Sequence, residues 1–293
     1  MPDADICAVT GANGYLGSRI AAYLKRAGWV VYELRHDLKK GSAQDERQIP
    51  YSLEEGIEPD RLRGVEALIH CAYDFRPTRW DEIYQVNVRG TARLLEAAQV
   101  AGVRRIILIS TMSAFEGCRS LYGKAKLEAE KEAAKVDAIV IRPGLVFGKT
   151  PGGTLGALKK TVEASKIVPL VGRGDQIQYL AHEEDLCRLI LKICRDANLS
   201  FSQPLYAAAE KGKTIREIVE TLAKAQGEKK ILIPIPWRFI WLGLKSAERA
   251  GLHLGLRSDS LIGLVYFNRH PDFSAMRHLG IPFREFTVQT LTA

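Results

Sequence analysis

The stretch Ile6-Cys7-Ala8-Val9-Thr10-Gly11-Ala12-Asn13-Gly14-Tyr15-Leu16-Gly17 decides the fold. Its first four residues are small or apolar, as in a buried parallel strand, and Gly11 marks the turn that ends it. Gly11, Gly14 and Gly17 recur at three-residue spacing, and the pattern over 15–27 predicts an amphipathic helix. Gly11 permits the tight strand-to-helix turn, Gly14 lets backbone N–H groups approach a pyrophosphate, and Gly17 lets the helix lie against the sheet. The backbone of Asn13, Gly14, Tyr15, Leu16 and Gly17 would then surround the phosphates at the positive end of the helix dipole. An ordinary glycine turn is the plainer reading of such a triplet. Its place after a first strand and at a helix start favours dinucleotide binding.

The second strand, 30–34, reads Val-Val-Tyr-Glu-Leu, and its end is where an acidic side chain would hold the adenosine ribose hydroxyls. Arg35 stands there instead, with His36 beside it and Lys39-Lys40 close behind. A guanidinium suits a 2′-phosphate, because its fork matches phosphate oxygens, so NADP(H) is expected over NAD(H). Arg35 could also be an ordinary solvated residue. Glu33 lies two residues too early and is expected on the other side of the strand end.

Bulk properties narrow the class. The 293 residues are 46% hydrophobic and 26% charged, which is a soluble globular composition able to bury a core. The net charge of +8 comes from scattered Lys and Arg, without a basic run interleaved with aromatics, so no nucleic-acid partner is expected. A phosphate-bearing cofactor explains the excess more simply. Cys7, Cys71, Cys118, Cys187 and Cys194 form no CxxC pair, which predicts reduced thiols in a cytoplasmic setting and no zinc site. The first strand begins close to Met1, so no signal peptide is expected. The most apolar stretch, 231–244, contains Pro234, Pro236 and Arg238 and is too short to span a bilayer, so no membrane partner is expected either.

Further along, 44–63 is polar and irregular, with a short strand and helix expected. Ala67 to Ala72 reads as a buried strand whose end, Cys71-Ala72, would lie near the adenosine or pyrophosphate. The segment 80–101 reads as one helix carrying Asn87. The run 104–110 is another buried strand, followed by the hydroxyls of Ser110, Thr111 and Ser113. In open parallel sheets ligands bind beyond such strand ends. Alternating strands and helices predict an α/β fold with a doubly wound parallel sheet.

Tyr122 and Lys126 then stand one helical turn apart, and of ten tyrosines only Tyr122 has a lysine four residues on. A phenol with a pKa near 10 is a poor base at neutral pH. A nearby ammonium and an oxidised nicotinamide would lower that value and make Tyr122 a usable acid/base. A hydroxyl from Thr111 or Ser113 could hydrogen-bond the substrate oxygen. The spacing alone arises often by chance.

The ordered motifs TGANGYLG, HCAYD, NVRGT, ISTMSAF, YGKAK, RPGLVFG and AHEEDL resemble the extended short-chain dehydrogenase/reductases, the NAD-dependent epimerase/dehydratase family. The resemblance runs to about Leu191 and returns in the tail HPDFSAMRHLGIPFREF. It implies a Rossmann sheet, a catalytic Tyr122, a Lys126 that also binds the nicotinamide ribose, and a catalytic hydroxyl at Thr111, with Ser113 second. It further implies that Arg142-Pro143-Gly144 ends the sixth strand (138–142) beside the nicotinamide, and that Asn87 has a structural and proton-relay place; Asn87 bonded only to neighbouring backbone is the alternative. Two positions depart from the pattern. Only eleven residues separate Thr111 from Tyr122, and Glu116 stands where an aromatic is common; both bear on the substrate class.

The rest of the chain is expected to supply the substrate side. Arg173, in a glycine-rich stretch, could meet a diphosphate or carboxylate or simply close a turn. His182, Glu183, Glu184 and Asp185 begin an apolar helix (186–193) and read as caps, not metal ligands. A capped helix is expected over 214–226, a strand over 231–235, an aromatic-rich helix over 237–250 and a short helix over 260–267. The expected division is a dinucleotide-binding domain over 1–148, to which 177–209 return, and a small C-terminal α/β cap of 149–176 and 210–293. The function implied is NAD(P)-dependent epimerase/dehydratase-type hydride transfer at a hydroxyl or carbonyl carbon of a small-molecule substrate, with a sugar nucleotide as candidate. The alternatives are an NADPH-dependent carbonyl reductase for a less polar substrate and a non-catalytic nucleotide-sensing or assembly subunit. A homodimer could form through helices 80–101 and 121–134.

Overall fold

Strand-forming runs separated by helical ones give a seven-stranded sheet in the computed structural model, which describes residues 5–38, 45–252 and 255–292. Lys39 and Lys40 lie outside the described residues. The opening strand β1 (Ile6–Thr10) leads into α1 (Tyr15–Arg26), whose Gly17, Ile20, Ala21 and Leu24 fall on one buried face at helical spacing. Next come β2 (Val30–Arg35), β3 (Gln48–Pro50), a 3₁₀ turn at Pro59–Leu62 and β4 (Ala67–His70).

The helix expected over 80–101 is interrupted. It comprises α2 (Trp80–Ile83), a wider π turn at Tyr84–Arg89 and α3 (Gly90–Val100). The apolar residues Ile83, Val86, Leu94 and Leu95 keep a helical pattern through the π turn, so periodicity does not betray it. Beyond it lie β5 (Arg105–Ile109), α4 (Leu121–Ala134) and β6 (Ile139–Pro143).

Several short strands that were not foreseen follow: β7 (Leu145–Phe147), β8 (Ile167–Val171) after α5 (Gly153–Ala164), β9 (Ile177–Gln178) and β10 (Leu180–His182). Helix α6 (Glu183–Arg195), β11 (Leu205–Ala207) and β12 (Lys213–Thr214) precede α7 (Ile215–Ala225). The expected threonine cap is a full capping box, Thr214 with Glu217, and Gly227 takes a positive φ of 70° just past the helix end. The chain continues through β13 (Ile231–Ile235), α8 (Trp237–Arg249), α9 (Ser258–Val265), α10 (Ser274–Leu279) and α11 (Val288–Thr292).

The large sheet has the order β11-β6-β5-β4-β1-β2-β3, and the pairings β5–β6, β4–β5, β1–β4, β1–β2 and β2–β3 all run parallel. This is the expected Rossmann-type doubly wound α/β arrangement. The sheet reverses direction of growth between β1 and β4, the kind of position beside which ligands bind in open parallel sheets. Ala8, Leu34, Leu68 and Leu108 of the strands are buried with Leu94, Leu95 and Ala98 of α3 and Ala129 and Ala133 of α4.

Two compact units are present: Met1–Thr111 with Ala125–Arg142 and Cys187–Leu205, and Met112–Lys124 with Pro143–Leu186 and Tyr206–Ala293. The second has its own core, in which Leu155 and Val162 of α5 meet Ile218, Val219 and Leu222 of α7 and Val168 and Leu170 of β8. In α8, Trp237, Ile240 and Trp241 lie against Leu244, Leu261 and Val171, while Phe239 and Leu242 are exposed.

Candidate active site

In the first unit the glycine loop is moulded to the end of β4. Gly11 has φ +64°, and a Cβ there would come 3.1 Å from the backbone of Ala72. A Cβ on Gly17 would come 2.2 Å from the carbonyl oxygen of Gly11, so only glycine lets α1 start this close to the strand. The N–H of Gly14 donates to Gly11 O at 2.8 Å; α1 begins at Tyr15 with no side-chain cap and no acidic residue in its first turn. An uncapped, unopposed helix start fits a diphosphate.

A buried polar chain that sequence reading missed supports this loop. Thr10 Oγ1 accepts the N–H groups of Cys71 (3.0 Å) and Ala72 (3.1 Å) and lies 2.7 Å from His70 Nδ1. His70 Nε2 in turn lies 2.9 Å from Thr91 Oγ1. Burial lowers the His70 pKa to about 3, so the ring is neutral. Thr10 and His70 are register partners across β1 and β4, which becomes visible only once the strands are paired.

At the end of β2, Arg35 stands where it was expected and is already paired. Its Nε and Nη2 donate to the Asp37 carboxylate at 3.0 and 2.8 Å. Glu33 is not on the other side of the strand end: its carboxylate lies 3.6 Å from Arg35 Nη1 and accepts from Lys25 of α1 at 2.7 Å. Residues two apart in a strand share a face, and the expectation for Glu33 overlooked that period. The Asn13 side-chain amide donates to His36 Nδ1 at 3.2 Å, tying the glycine loop to the same corner.

Asn87, in the π turn, is buried. Its Oδ1 accepts from Asp74 N at 2.7 Å, and its amide donates to Asp74 O at 3.0 Å. It thus clamps the loop that follows Cys71 and Ala72, thirteen residues away, and not its own helix turn. Lys126 is buried, donates to Ile109 O at 2.9 Å and stands 5.4 Å from the centre of the Tyr73 ring. Burial pulls its pKa down to about 8, against the opposing effects of Cys71 and Glu130. The Cys71 thiol is pushed up to about 12 by burial.

Ser110 and Arg142 meet on a residue that the sequence did not single out. The Ser110 hydroxyl donates to Glu130 of α4, and Arg142 donates to both oxygens of the same carboxylate through Nε (2.9 Å) and Nη2 (2.5 Å). Glu130 and Arg142 are nearly closed to solvent, with side-chain exposures of 8% and 9%. The group ties α4 to the ends of β5 and β6.

The second unit holds Ser113 and Tyr122, both half-buried. Met112 N donates to Pro143 O at 3.1 Å, which lays this segment beside the end of β6. A Cβ at Gly123 would come 2.4 Å from Ser113 O, so glycine after Tyr122 allows the Ser113 segment to touch the first turn of α4. That turn is capped from far along the chain: the Asp259 carboxylate accepts the N–H groups of Leu121 (2.7 Å) and Tyr122 (3.0 Å). Thr111 precedes this segment, and Lys126 follows Tyr122 by one turn on the same helix. Asp259→Ala should cost about 1–2 kcal/mol in urea unfolding and lower turnover by freeing the Tyr122 backbone, whereas Asp259→Asn should retain most of both. An unchanged unfolding midpoint would show that the cap is unimportant.

The other candidates have plain roles. The carbonyl of Arg173 accepts from Arg216 Nε at 3.2 Å, in a turn where Gly172 and Gly174 both have positive φ. His182 Nδ1 accepts the Glu184 N–H at the start of α6, and its ring meets Phe147 edge-on. Glu184 and the fully buried Asp185 bind the Arg284 guanidinium at 2.8–3.1 Å, a C-terminal partner that the sequence reading did not foresee.

Comparison with known proteins agrees with this geometry. A model of the NAD dependent epimerase/dehydratase family matches residues 7–206. The ceramide reductase of Caulobacter vibrioides is 29% identical over 243 residues, covering 79% of this chain and 74% of that protein. The UDP-glucose 4-epimerase of Vibrio cholerae is 24% identical over 264 residues, 80% of this chain and 78% of that one. Among solved structures, MoeE5 in complex with UDP-glucose and NAD superposes with a TM-score of 0.73 at 22% identity, covering 98% of this chain and 96% of that one.

Proposed function

The chain belongs to the NAD-dependent epimerase/dehydratase family and is an NAD(P)-dependent oxidoreductase of that type, and from this premise we propose that Tyr122 is its acid/base. The observation that supports the reading is α4 itself, a continuous helix on which Tyr122 and the buried Lys126 stand one turn apart. A nicotinamide cofactor, when bound, would supply or accept the hydride. Tyr122 Oη moves the proton of the substrate hydroxyl or carbonyl oxygen, and Thr111, with Ser113 as second choice, hydrogen-bonds that oxygen. Lys126 holds the nicotinamide ribose and favours the phenolate. Gly11, Asn13, Gly14, Tyr15, Leu16 and Gly17 bind the pyrophosphate, with Cys71 and Ala72 beside it. Asn87 acts by holding the loop after those residues, while Ser110, Arg142 and Pro143 shape the nicotinamide end.

The cofactor proposed is NADP(H) in preference to NAD(H), on Arg35 at the end of β2. Of its two carboxylate neighbours, Asp37 is solvent-exposed and such pairs contribute little, so a 2′-phosphate can displace it, while Glu33, 3.6 Å away, has Lys25 as a closer partner. Arg35→Asp should weaken NADPH binding roughly 10- to 100-fold while changing NADH binding little, read by fluorescence titration. Equal effects on the two would remove the 2′-phosphate site.

The substrate side belongs to the second unit, residues 149–176 and 210–293 above all, and a sugar nucleotide is the substrate class carried forward, supported by the likeness to a UDP-glucose 4-epimerase. A second reading, reduction of a carbonyl on a less polar substrate, is favoured by the exposed apolar side chains of the cap and by the ceramide reductase likeness. Trapping the reduced cofactor separates them: an epimerase regenerates its oxidised cofactor each turnover, whereas a reductase consumes NADPH in step with product. A sensing or assembly subunit is not favoured, since the relatives are named as reductases, epimerases and dehydrogenases. The proposal includes a cytoplasmic setting, supported by five free thiols, and a homodimer through helices 80–101 and 121–134.

A further inference from the structure

We propose that the face formed by β8, β13 and α8 docks on an anionic phospholipid surface. The two strands run parallel with Ile167 beside Ile231 and Pro169 beside Ile233, so these four side chains share one face of the ribbon. That face is open: Ile167 is 50% exposed, Ile231 63% and Ile233 42%. At its far end α8 covers Val171, and the outer side of α8 adds Phe239 at 69% and Leu242 at 56%, one turn apart. Single exposed apolar residues are ordinary, but five large ones on one small ribbon and the helix that follows it are not.

The charge around them selects the occupant. From Glu228 to Ala250 the sequence has five cations (Lys229, Lys230, Arg238, Lys245 and Arg249) against two carboxylates, and Lys166 adjoins Ile167. Lys230 is 2% exposed and paired with Glu228 at 2.6 Å, which leaves Lys166, Lys229, Arg238, Lys245 and Arg249. Glu248 is engaged with the N–H and hydroxyl of Ser258 and lies 3.8 Å from Lys245. Apolar side chains ringed by Lys and Arg match the interface of a bilayer with anionic headgroups. A second copy of this chain is a poorer occupant, because a two-fold contact would set these cations against themselves. Pro169, Pro234 and Pro236 also remove N–H donors that strand-to-strand pairing would need. Among the described residues no helix is long and apolar enough to cross a membrane, so the association is peripheral. It revises the expectation of no membrane partner and stands independently of the reaction assigned above.

The test is sedimentation of the full chain with vesicles of phosphatidylcholine alone or mixed with phosphatidylglycerol. The chain should pellet with the anionic vesicles, and high salt should release it. Phe239→Ser with Leu242→Ser should weaken that binding roughly tenfold or more. Lys229→Ser with Arg238→Ser should weaken it at low salt and flatten the salt dependence. Both double variants should bind NADPH like the parent, which controls for folding. A chain that stays in the supernatant with anionic vesicles, or variants that pellet as the parent does, would overturn the proposal. So would a dimer in sedimentation equilibrium that Phe239→Ser with Leu242→Ser dissolves.

Discussion

Tyr122→Phe should lower kcat by about 10²- to 10⁴-fold, the range for removing a positioned acid/base, while leaving cofactor affinity close to the parent's. The phenylalanine keeps the ring and the backbone N–H that Asp259 caps, so the start of α4 should persist. The pH profile gives a second readout. Lys126 keeps its proton below about pH 8 and loses it above. The charge that favours the phenolate is therefore present below that pH, and kcat/KM should fall as pH rises through about 8. Lys126→Met should remove that limb and weaken cofactor binding as well. Unaltered turnover in Tyr122→Phe would sink the acid/base assignment, whatever the pH profile shows.

The largest effect on stability is expected at Glu130. Its carboxylate receives two N–H groups of Arg142 and the hydroxyl of Ser110, all in a site almost closed to water. Glu130→Ala removes the counter-charge but leaves the guanidinium buried, which typically costs about 3–5 kcal/mol. Replacing both partners by Met should recover most of that loss, because the penalty lies in stranding one charge and not in lacking the pair. Urea unfolding followed by circular dichroism measures both. A loss below about 1 kcal/mol for Glu130→Ala would mean that water or another group reaches Arg142. The double variant also tests whether Arg142 serves the cofactor: restored stability with weakened cofactor binding would give it a part in binding.

These two sites mark what a sequence can and cannot disclose. Tyr122 and Lys126 stand four residues apart, and the glycines of the loop lie within 11–17, so helical period and the special geometry of glycine place each group before any strand is paired. Glu130 looks like any acidic residue of an Ala-, Lys- and Glu-rich helix. Only the pairing of β5 with β6 brings Ser110 and Arg142 to it. Asp259 is 137 residues from Tyr122, and nothing local in Ser-Asp-Ser announces a cap for another helix. The π turn was hidden because its apolar residues keep a helical pattern. The reading of Glu33 failed for a different reason: the alternation rule was sufficient and was applied with the wrong sign. In α8 the sequence showed how apolar the helix was, but not that Trp237 and Trp241 would turn inward while Phe239 and Leu242 turn out.

The chain of bonds beneath the glycine loop also has a direction, which follows from counting lone pairs. Thr10 Oγ1 accepts two N–H groups, from Cys71 and Ala72, and so uses both of its acceptor positions. Its bond to His70 must therefore be one it donates, and Nδ1 of that neutral ring must be the bare nitrogen. The proton is left on Nε2 and points at Thr91. The Thr10 hydroxyl and the His70 ring are thereby oriented from the glycine loop outward to α3. A second proton on His70 would have to face the one Thr10 already offers, so an acceptor that cannot become a donor keeps the turn shut.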